Sequence, residues 1–283
     1  DGAASKDEVK LAKKAYGFAK KAEKALAKGD GVQAVILAEN AVAIELNNLD
    51  YRGLLARAYM KEGRFQSAER TLMDVIELGQ SDARTIVSLA LTRIAQGKVD
   101  SAIALVEANQ AKLPASDFGL ALALAGEPKR GIAVLTEAIR SDNSTARTRQ
   151  NLALAYALDG QWRNSQTMAV QDMPKDMADQ RLVEWAQYAR PGAFQTRIAG
   201  LLGVSPKEDM GQPVRLALNV VAGEVNVASA AEAPVEMAAA PVQSMSELAA
   251  VGPAPVETSV DQNTQFVSEP AVKVAVADQI SVP

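Results

Sequence analysis

The sequence predicts an all-α solenoid: about five antiparallel helix pairs, a further pair closing the C-terminal end, and a long tail. Three observations carry this. Gly29, Gly63, Gly97, Gly126 and Gly160 follow one another at intervals of 34, 34, 29 and 34 residues, close to the spacing at which a helix–turn–helix unit repeats. The flanking residues repeat as well. Leu55, Ala56 and Tyr59 precede Gly63 and Phe65, Ala68 and Leu72 follow it, while Leu152, Ala153 and Tyr156 precede Gly160 and Trp162, Ser165 and Ala169 follow it. Finally, apolar residues make up 48% of the chain but aromatics only 4%. That is an Ala, Leu and Val balance suited to closely packed small helices rather than to a sandwich or barrel. At 283 residues the chain is long for a single core, but a solenoid grows by adding units, each burying its apolar face against its neighbours.

The first helix spans about residues 6–28, rich in Lys and Ala and longer than its unit requires, so that 1–14 reads as a leader and the start of that helix. Ala22, Ala34, Ala38 and Ala41 supply the small residues around Gly29. The second unit, 49–82, shows the pattern most fully. The third, 83–116, carries Leu89, Ala90, Gly97, Ala102 and Val106 and stops at Pro114. In the fourth, Phe118, Gly119, Leu122, Leu135 and Ala138 keep the pattern, but Pro114 and Pro128 compress its first helix to about three turns. The fifth, 146–179, recovers the full length and ends the solenoid proper, 15–179. Two helices at 177–189 and 192–202, parted by Pro191, cap the open end up to about 204. A terminal repeat otherwise exposes its apolar face.

Small residues mark where the two helices of a unit cross: Ala56 with Ala68, Ala90 with Ala102, Ala153 with Ser165. Leu55, Tyr59, Phe65 and Leu72 are large and are expected between adjacent units. Each turn glycine is expected in the left-handed conformation that ends a helix.

The tail differs in kind. Residues 1–204 carry 27 basic and 24 acidic residues, whereas 205–283 carry 3 and 10, together with eight of the twelve prolines and one aromatic, Phe266. Such a composition offers too little bulky apolar surface to offset the entropy of ordering, so 205–283 is expected to be an Ala/Val/Pro-rich acidic disordered linker. Residues 213–221 (PVRLALNVV) are its most strand-like piece.

Composition also narrows function. With no cysteine and no histidine, the chain cannot build a Ser–His–Asp triad, a Cys–His pair or an HExxH zinc site. A net charge of −4 gives no basic footprint for nucleic acid. No apolar run approaches the roughly 18 residues needed to span a membrane. Lys10, Lys13, Lys14, Lys20, Lys21, Lys24 and Lys28 could touch anionic lipid, but with few apolar anchors beyond Leu11, Tyr16, Phe18 and Leu26 a solvated helix is the better reading. Asp172, Asp176 and Asp179 read as helix caps and Trp162 and Trp185 as packing residues. No catalytic residue, metal site or cofactor is expected. Residues 1–7 are small and polar, like the spacer after a removed export signal and equally like an arbitrary boundary.

The Leu-Ala-x-x-Tyr, Gly-x-aromatic and Ala-x-x-x-Leu elements quoted above, spread over 15–179, resemble the tetratricopeptide repeat family. The resemblance implies a right-handed superhelix whose concave surface binds a peptide or a partner helix. On the family's geometry the groove positions are Tyr16 and Glu23 in the first unit, Arg57 and Lys61 in the second, and Arg84 and Leu91 in the third. The fifth adds Arg147, Gln150 and Leu154. This basic-leaning groove would suit an acidic or C-terminal peptide segment, but solvated helix faces are the better reading of Arg57, Lys61 and Arg84. The carboxylate clamp of chaperone-binding family members is not expected, because Gly53 and Arg57 stand where Lys and Asn would be sought.

A narrower resemblance rests on 151–174 (NLALAYALDGQWRNSQTMAVQDMP) and 197–204 (RIAGLLGV), which are similar to the tetratricopeptide protein of tight-adherence (Flp) pilus assembly systems. It implies a non-catalytic scaffold in the bacterial envelope, periplasmic or outer-membrane-associated, supporting a pilus secretion machine. A lipid-bearing cysteine would have to precede Asp1, and membrane contact would come through that anchor. The tail resembles instead the linker of proteins that join such repeats to a peptidoglycan-binding SPOR domain, which here would have to follow Pro283. A cytoplasmic adaptor is a further alternative, and an enzyme would need carboxylate or lysine chemistry.

Overall fold

The computed structural model describes residues 5–141 and 144–218. Among the described residues there are twelve α-helices and no strand. They run α1 (Lys6–Ala27), α2 (Gly31–Ile44), α3 (Leu49–Lys61), α4 (Phe65–Glu77), α5 (Ala83–Ala95), α6 (Val99–Ala108), α7 (Ala115–Leu124), α8 (Pro128–Arg140), α9 (Ala146–Leu158), α10 (Trp162–Ala169), α11 (Lys175–Tyr188) and α12 (Phe194–Leu202). Ten of them form five antiparallel pairs, α1/α2 through α9/α10, packed in succession into a tetratricopeptide-type solenoid.

Every pair turns in the same way. Gly29, Gly63, Gly97, Gly126 and Gly160 have φ of +78°, +74°, +73°, +99° and +75°. At each, the next residue's amide reaches back to a carbonyl of the helix's last turn. Arg64 N donates to Tyr59 O at 2.9 Å, Lys98 N to Arg93 O at 2.9 Å and Gln161 N to Tyr156 O at 2.8 Å. This is the bond that closes a Schellman turn.

The starts of the helices differ by rank within the pair. Four of the five first helices are capped by their own side chains: Ser5 on α1, as a capping box with Glu8, Asn48 on α3, Asp82 on α5 and Thr145 on α9. The second helices α4, α6, α8 and α10 begin straight after the glycine turn and have no side-chain cap of their own.

The crossing points are as small as the sequence requires. Ala56 and Ala68, Ala90 and Ala102, Ala153 and Ser165 are all buried, and so are Leu55, Tyr59, Phe65 and Leu72 between units. The short fourth unit carries the principle further, with Gly119 on α7 facing Gly131 on α8. A Cβ at Gly131 would lie 2.5 Å from Gly119 O and 2.9 Å from Ala123 Cβ, so these backbones touch directly. Enlarging Ala68 to Leu should overpack its joint by about 1–3 kcal/mol and lower the melting temperature; an unchanged thermal melt would mean that Ala68 does not sit at the crossing.

Three expectations are corrected. Trp162, expected to pack, is 40% exposed at the start of α10, whereas Trp185 is buried. Asp172 and Asp179 are ion-pair partners of Arg149 and Lys175 rather than caps, and Pro174 stands at the N-cap of α11. Third, the tail does not begin as loose chain at Ser205. Gly203 ends α12 at φ +62°, with Val204 N on Ala199 O at 2.9 Å, and residues 205–218 then pack as a strap onto the second repeat. Its strand-like piece forms a 3-10 turn at Val214–Leu216 instead. The remainder of the expected linker, from 219 on, lies outside the described residues.

The capping pair sits close to its expected place but not only at the end of the row. α11 packs on α9 and α10, while α12 lies against α5 and α7. Those are first helices of the third and fourth units, the row whose side chains line the inner face.

Candidate peptide-binding groove and C-terminal strap

Between α1, α3 and α5 the inner face forms a groove of about 480 Å³. Asn48 and Asp82 position its walls, since each caps the helix behind it: Asn48 Oδ1 accepts from Tyr51 N at 3.1 Å and Asp82 Oδ1 from Thr85 N at 2.8 Å. Four of the residues expected in the groove line it together: Tyr16, Glu23, Arg57 and Arg84. Tyr16 is 57% exposed and has Lys20 Nζ 5.7 Å from its ring centroid. Lys20 in turn pairs with Glu23 at 3.0 Å.

Arg57 is the distinctive group. Burial, helped by the charge of Arg84 and opposed by Glu23, pulls its guanidinium below the ordinary arginine value. Among the described residues no hydrogen bond or ion pair engages it. A partly desolvated cation in this state gains from an anionic ligand more than a solvated one does, because part of its desolvation is already complete.

The other expected groove residues do not join this site. Lys61, half-buried in the last turn of α3, is not among the lining residues. Leu91 and Leu154 are 2% and 3% exposed and share one apolar core with Ile198 and Ala199 of α12. Docking of α12 on α5 and α7 therefore fills the inner face beyond the N-terminal half of α5. Arg147 pairs with Asp117 at 2.5 Å. Burial pushes the Asp117 carboxyl up against the pull of that arginine. Gln150 Nε2 lies 3.4 Å from both Ala169 O and Asp172 Oδ2. The open groove belongs to the first three units.

Sequence reasoning missed a second constellation, on the opposite edge of the second unit. Lys207 N donates to Gly63 O at 3.2 Å, bringing the strap over the turn between α3 and α4. Asp209 then caps α4, the helix that lacks its own cap. Its Oδ2 accepts from Ser67 N at 2.6 Å, its Oδ1 from Ser67 Oγ at 2.5 Å, and Arg64 Nε lies 3.4 Å away. Burial alone would raise this carboxyl, but the Ser67 hydroxyl and amide, the Gly211 amide and the Arg64 charge together hold it below the ordinary carboxylate range.

Farther along, Gln212 Oε1 lies 2.6 Å from Thr71 Oγ1, and Gln212 Nε2 donates to Asp74 Oδ2 at 3.1 Å. Leu216 is fully buried in the core of the first two units, and its carbonyl accepts from Arg52 Nη2 at 2.8 Å. The side chains of Arg52 and Asp74 are themselves wholly buried and paired at 2.6 Å. On the outside Arg215 reaches Glu39 at 2.8 Å and Lys207 pairs with Glu62. A sequence signal existed, for Ser67, Thr71 and Asp74 form a polar stripe on one face of α4 beside its apolar stripe.

Among the described residues no helix is long and apolar enough to cross a membrane, and no cluster of carboxylates is arranged to hold a metal ion.

Residues 25–86 match the tetratricopeptide repeat family. Among solved structures, a crystal structure of MamA is 20% identical over 56% of this chain and 96% of its own, with a TM-score of 0.44. A second MamA crystal structure is 16% identical over 69% and 98%, with a TM-score of 0.43. YrrB, described as a TPR protein with an unusual peptide-binding site, is 15% identical over 58% and 89%, with a TM-score of 0.38. No curated protein sequence matches the chain significantly.

Proposed function

We propose that this tetratricopeptide-repeat protein is a non-catalytic scaffold that holds an acidic peptide segment of a partner in the groove of its first three units. The observation that carries the reading is Arg57: partly desolvated, subject to the Arg84 charge, and engaged by no hydrogen bond or ion pair among the described residues. A carboxylate from a ligand would satisfy its fork of donors, while Tyr16 offers an amphipathic face for the ligand's apolar atoms. The groove's confinement to α1, α3 and α5 limits the ligand to a short segment.

A screen of labelled nonapeptides, differing in acidic content and in a free or amidated C-terminus, tests this directly. Acidic members should bind selectively. The Arg57→Glu/Arg84→Glu double variant should weaken them at least tenfold, about 1.4 kcal/mol, with the thermal melt unchanged. Selection of neutral peptides, or undiminished affinity in the variant, would move the site elsewhere.

For the cellular setting we propose assembly of an envelope pilus or secretion machine, supported by the likeness of 151–174 and 197–204 to tight-adherence pilus proteins. Deletion of the gene should then remove surface pili, scored by electron microscopy. Sedimentation of the natural protein with cell-wall sacculi, pili being intact, would favour the peptidoglycan-linked setting.

A further inference from the structure

The strap's surroundings are built as a ligand site is built, on a face separate from the inner groove. An uncapped helix start at Ser67 receives a carboxylate, and a buried guanidinium, Arg52, spends one of its donors on a strap carbonyl rather than on its own repeat. Thr71 and Asp74 meet a single amide side chain, and an apolar recess takes the whole of Leu216. A glycine edge completes the seat. A Cβ at Gly63 would lie 2.1 Å from Ser205 O, so the strap can cross there only over bare backbone.

The strap contributes no α-helix or strand to hold itself in place; apart from one 3-10 turn it is irregular chain, turning at a left-handed Gly211 and held by its side chains and by the backbone of Lys207 and Leu216. That is how a peptide is bound, with the entropy of docking lowered because the ligand is tethered to its site.

From these contacts we infer that the outer edge of the second repeat is a second peptide-binding site. Its ligand is a short segment without α-helix or strand, with an acidic residue, an amide side chain three residues on and a leucine four beyond that, and the chain's own residues 207–216 fill it in cis. The specificity follows from the seat. The acid is read by the start of α4 and Arg64, the amide by Thr71 and Asp74, and the leucine by the recess above Arg52. The tether keeps the site closed, so a free peptide of the same pattern enters only where the strap is weakened.

The probe is a fluorescein-labelled peptide of residues 205–218 (SPKEDMGQPVRLAL), titrated by anisotropy against the full chain. A chain carrying Asp209→Ala and Leu216→Ala keeps every residue of the seat and loses both main anchors of the strap. It should bind the peptide saturably and at least tenfold more tightly than the unaltered chain. The same peptide with Asp209→Ala should lose at least tenfold, and adding Gly63→Ala to the receptor should abolish binding. Where the double variant loses its helical circular dichroism, Asp209→Asn alone keeps the leucine anchor and should still bind at least threefold more tightly than the unaltered chain. Equal binding by altered and unaltered chains, or no saturable binding to a helical variant, overturns the assignment.

Discussion

Arg52→Met should lower the stability of the chain by about 3 kcal/mol at neutral pH, measured as the shift of a urea unfolding midpoint. The side chain is wholly buried and holds three acceptors: Asp74 Oδ2 and Leu46 O at 2.6 Å and Leu216 O at 2.8 Å. Removing one member of a buried ion pair typically costs about 3–5 kcal/mol, because the surviving charge is left desolvated. The lower end applies here, since Arg70 Nε lies 3.3 Å from the other oxygen of Asp74. Methionine retains the apolar stem, so the loss reports the guanidinium rather than a cavity.

The pH dependence of that loss follows from Asp74. Burial raises its carboxyl above the ordinary 3.8, with Gln212, Arg52 and Arg70 pulling the other way. A carboxyl raised on folding contributes stability in full below its unfolded pKa and loses it as pH rises through the folded one. Without Arg52 the rise becomes larger. The deficit of Arg52→Met should therefore shrink as pH falls from 7 toward 4, where Asp74 takes up its proton and no longer needs a countercharge. A deficit independent of pH would place it in packing. The Arg52→Met/Asp74→Leu double variant should recover part of the loss for the same reason, leaving the carbonyls of Leu46 and Leu216 without their donor.

The solenoid was legible in the sequence because its constraints are local and steric. Gly63 and Gly97 must turn left-handed, and Ala56 and Ala68 must be small where two helices cross, and neither requirement depends on anything far along the chain. The groove was only partly legible. The family resemblance implied a shared face for Tyr16, Glu23, Arg57 and Arg84, and the structure gathers them there. The same geometry placed Leu91 and Leu154 with them, but α12, from over a hundred residues beyond Leu91, packs on α5 and α7 and α11 packs on α9, and no local pattern encodes such docking.

The strap was hidden by averaging. Counted as a whole, 205–283 is acidic and rich in proline, yet its first fourteen residues carry Asp209, Gln212 and Leu216 at the spacing that the second repeat accepts. The complementary residues are Arg52, whose burial only the structure shows, and the polar stripe of α4, and neither belongs to the family's groove positions.

Gly63→Ala and Gly97→Ala form a matched pair that isolates what the strap contributes. Both glycines close a helix-pair turn, at φ +74° and +73°, and at both an alanine incurs the left-handed penalty of about 1–2 kcal/mol. They differ only in what the new methyl meets. Around Gly97 there is nothing within 4 Å, whereas at Gly63 the added carbon would stand 2.1 Å from Ser205 O and 3.1 Å from Pro206 Cα. Backbone cannot yield by that much, so the strap must lift, and with it go the carboxylate cap on α4 and the seat of Leu216. Charged hydrogen bonds of this kind contribute about 1.5–3 kcal/mol each. Gly63→Ala should therefore cost roughly 3 kcal/mol or more and Gly97→Ala about half of that. Hydrogen exchange separates the causes: the amides of Ser67, Lys207 and Leu216 should lose protection in Gly63→Ala and keep it in Gly97→Ala. Equal losses of stability in the two variants, with Ser67 still protected, would mean that the strap lies on the second repeat without stabilising it.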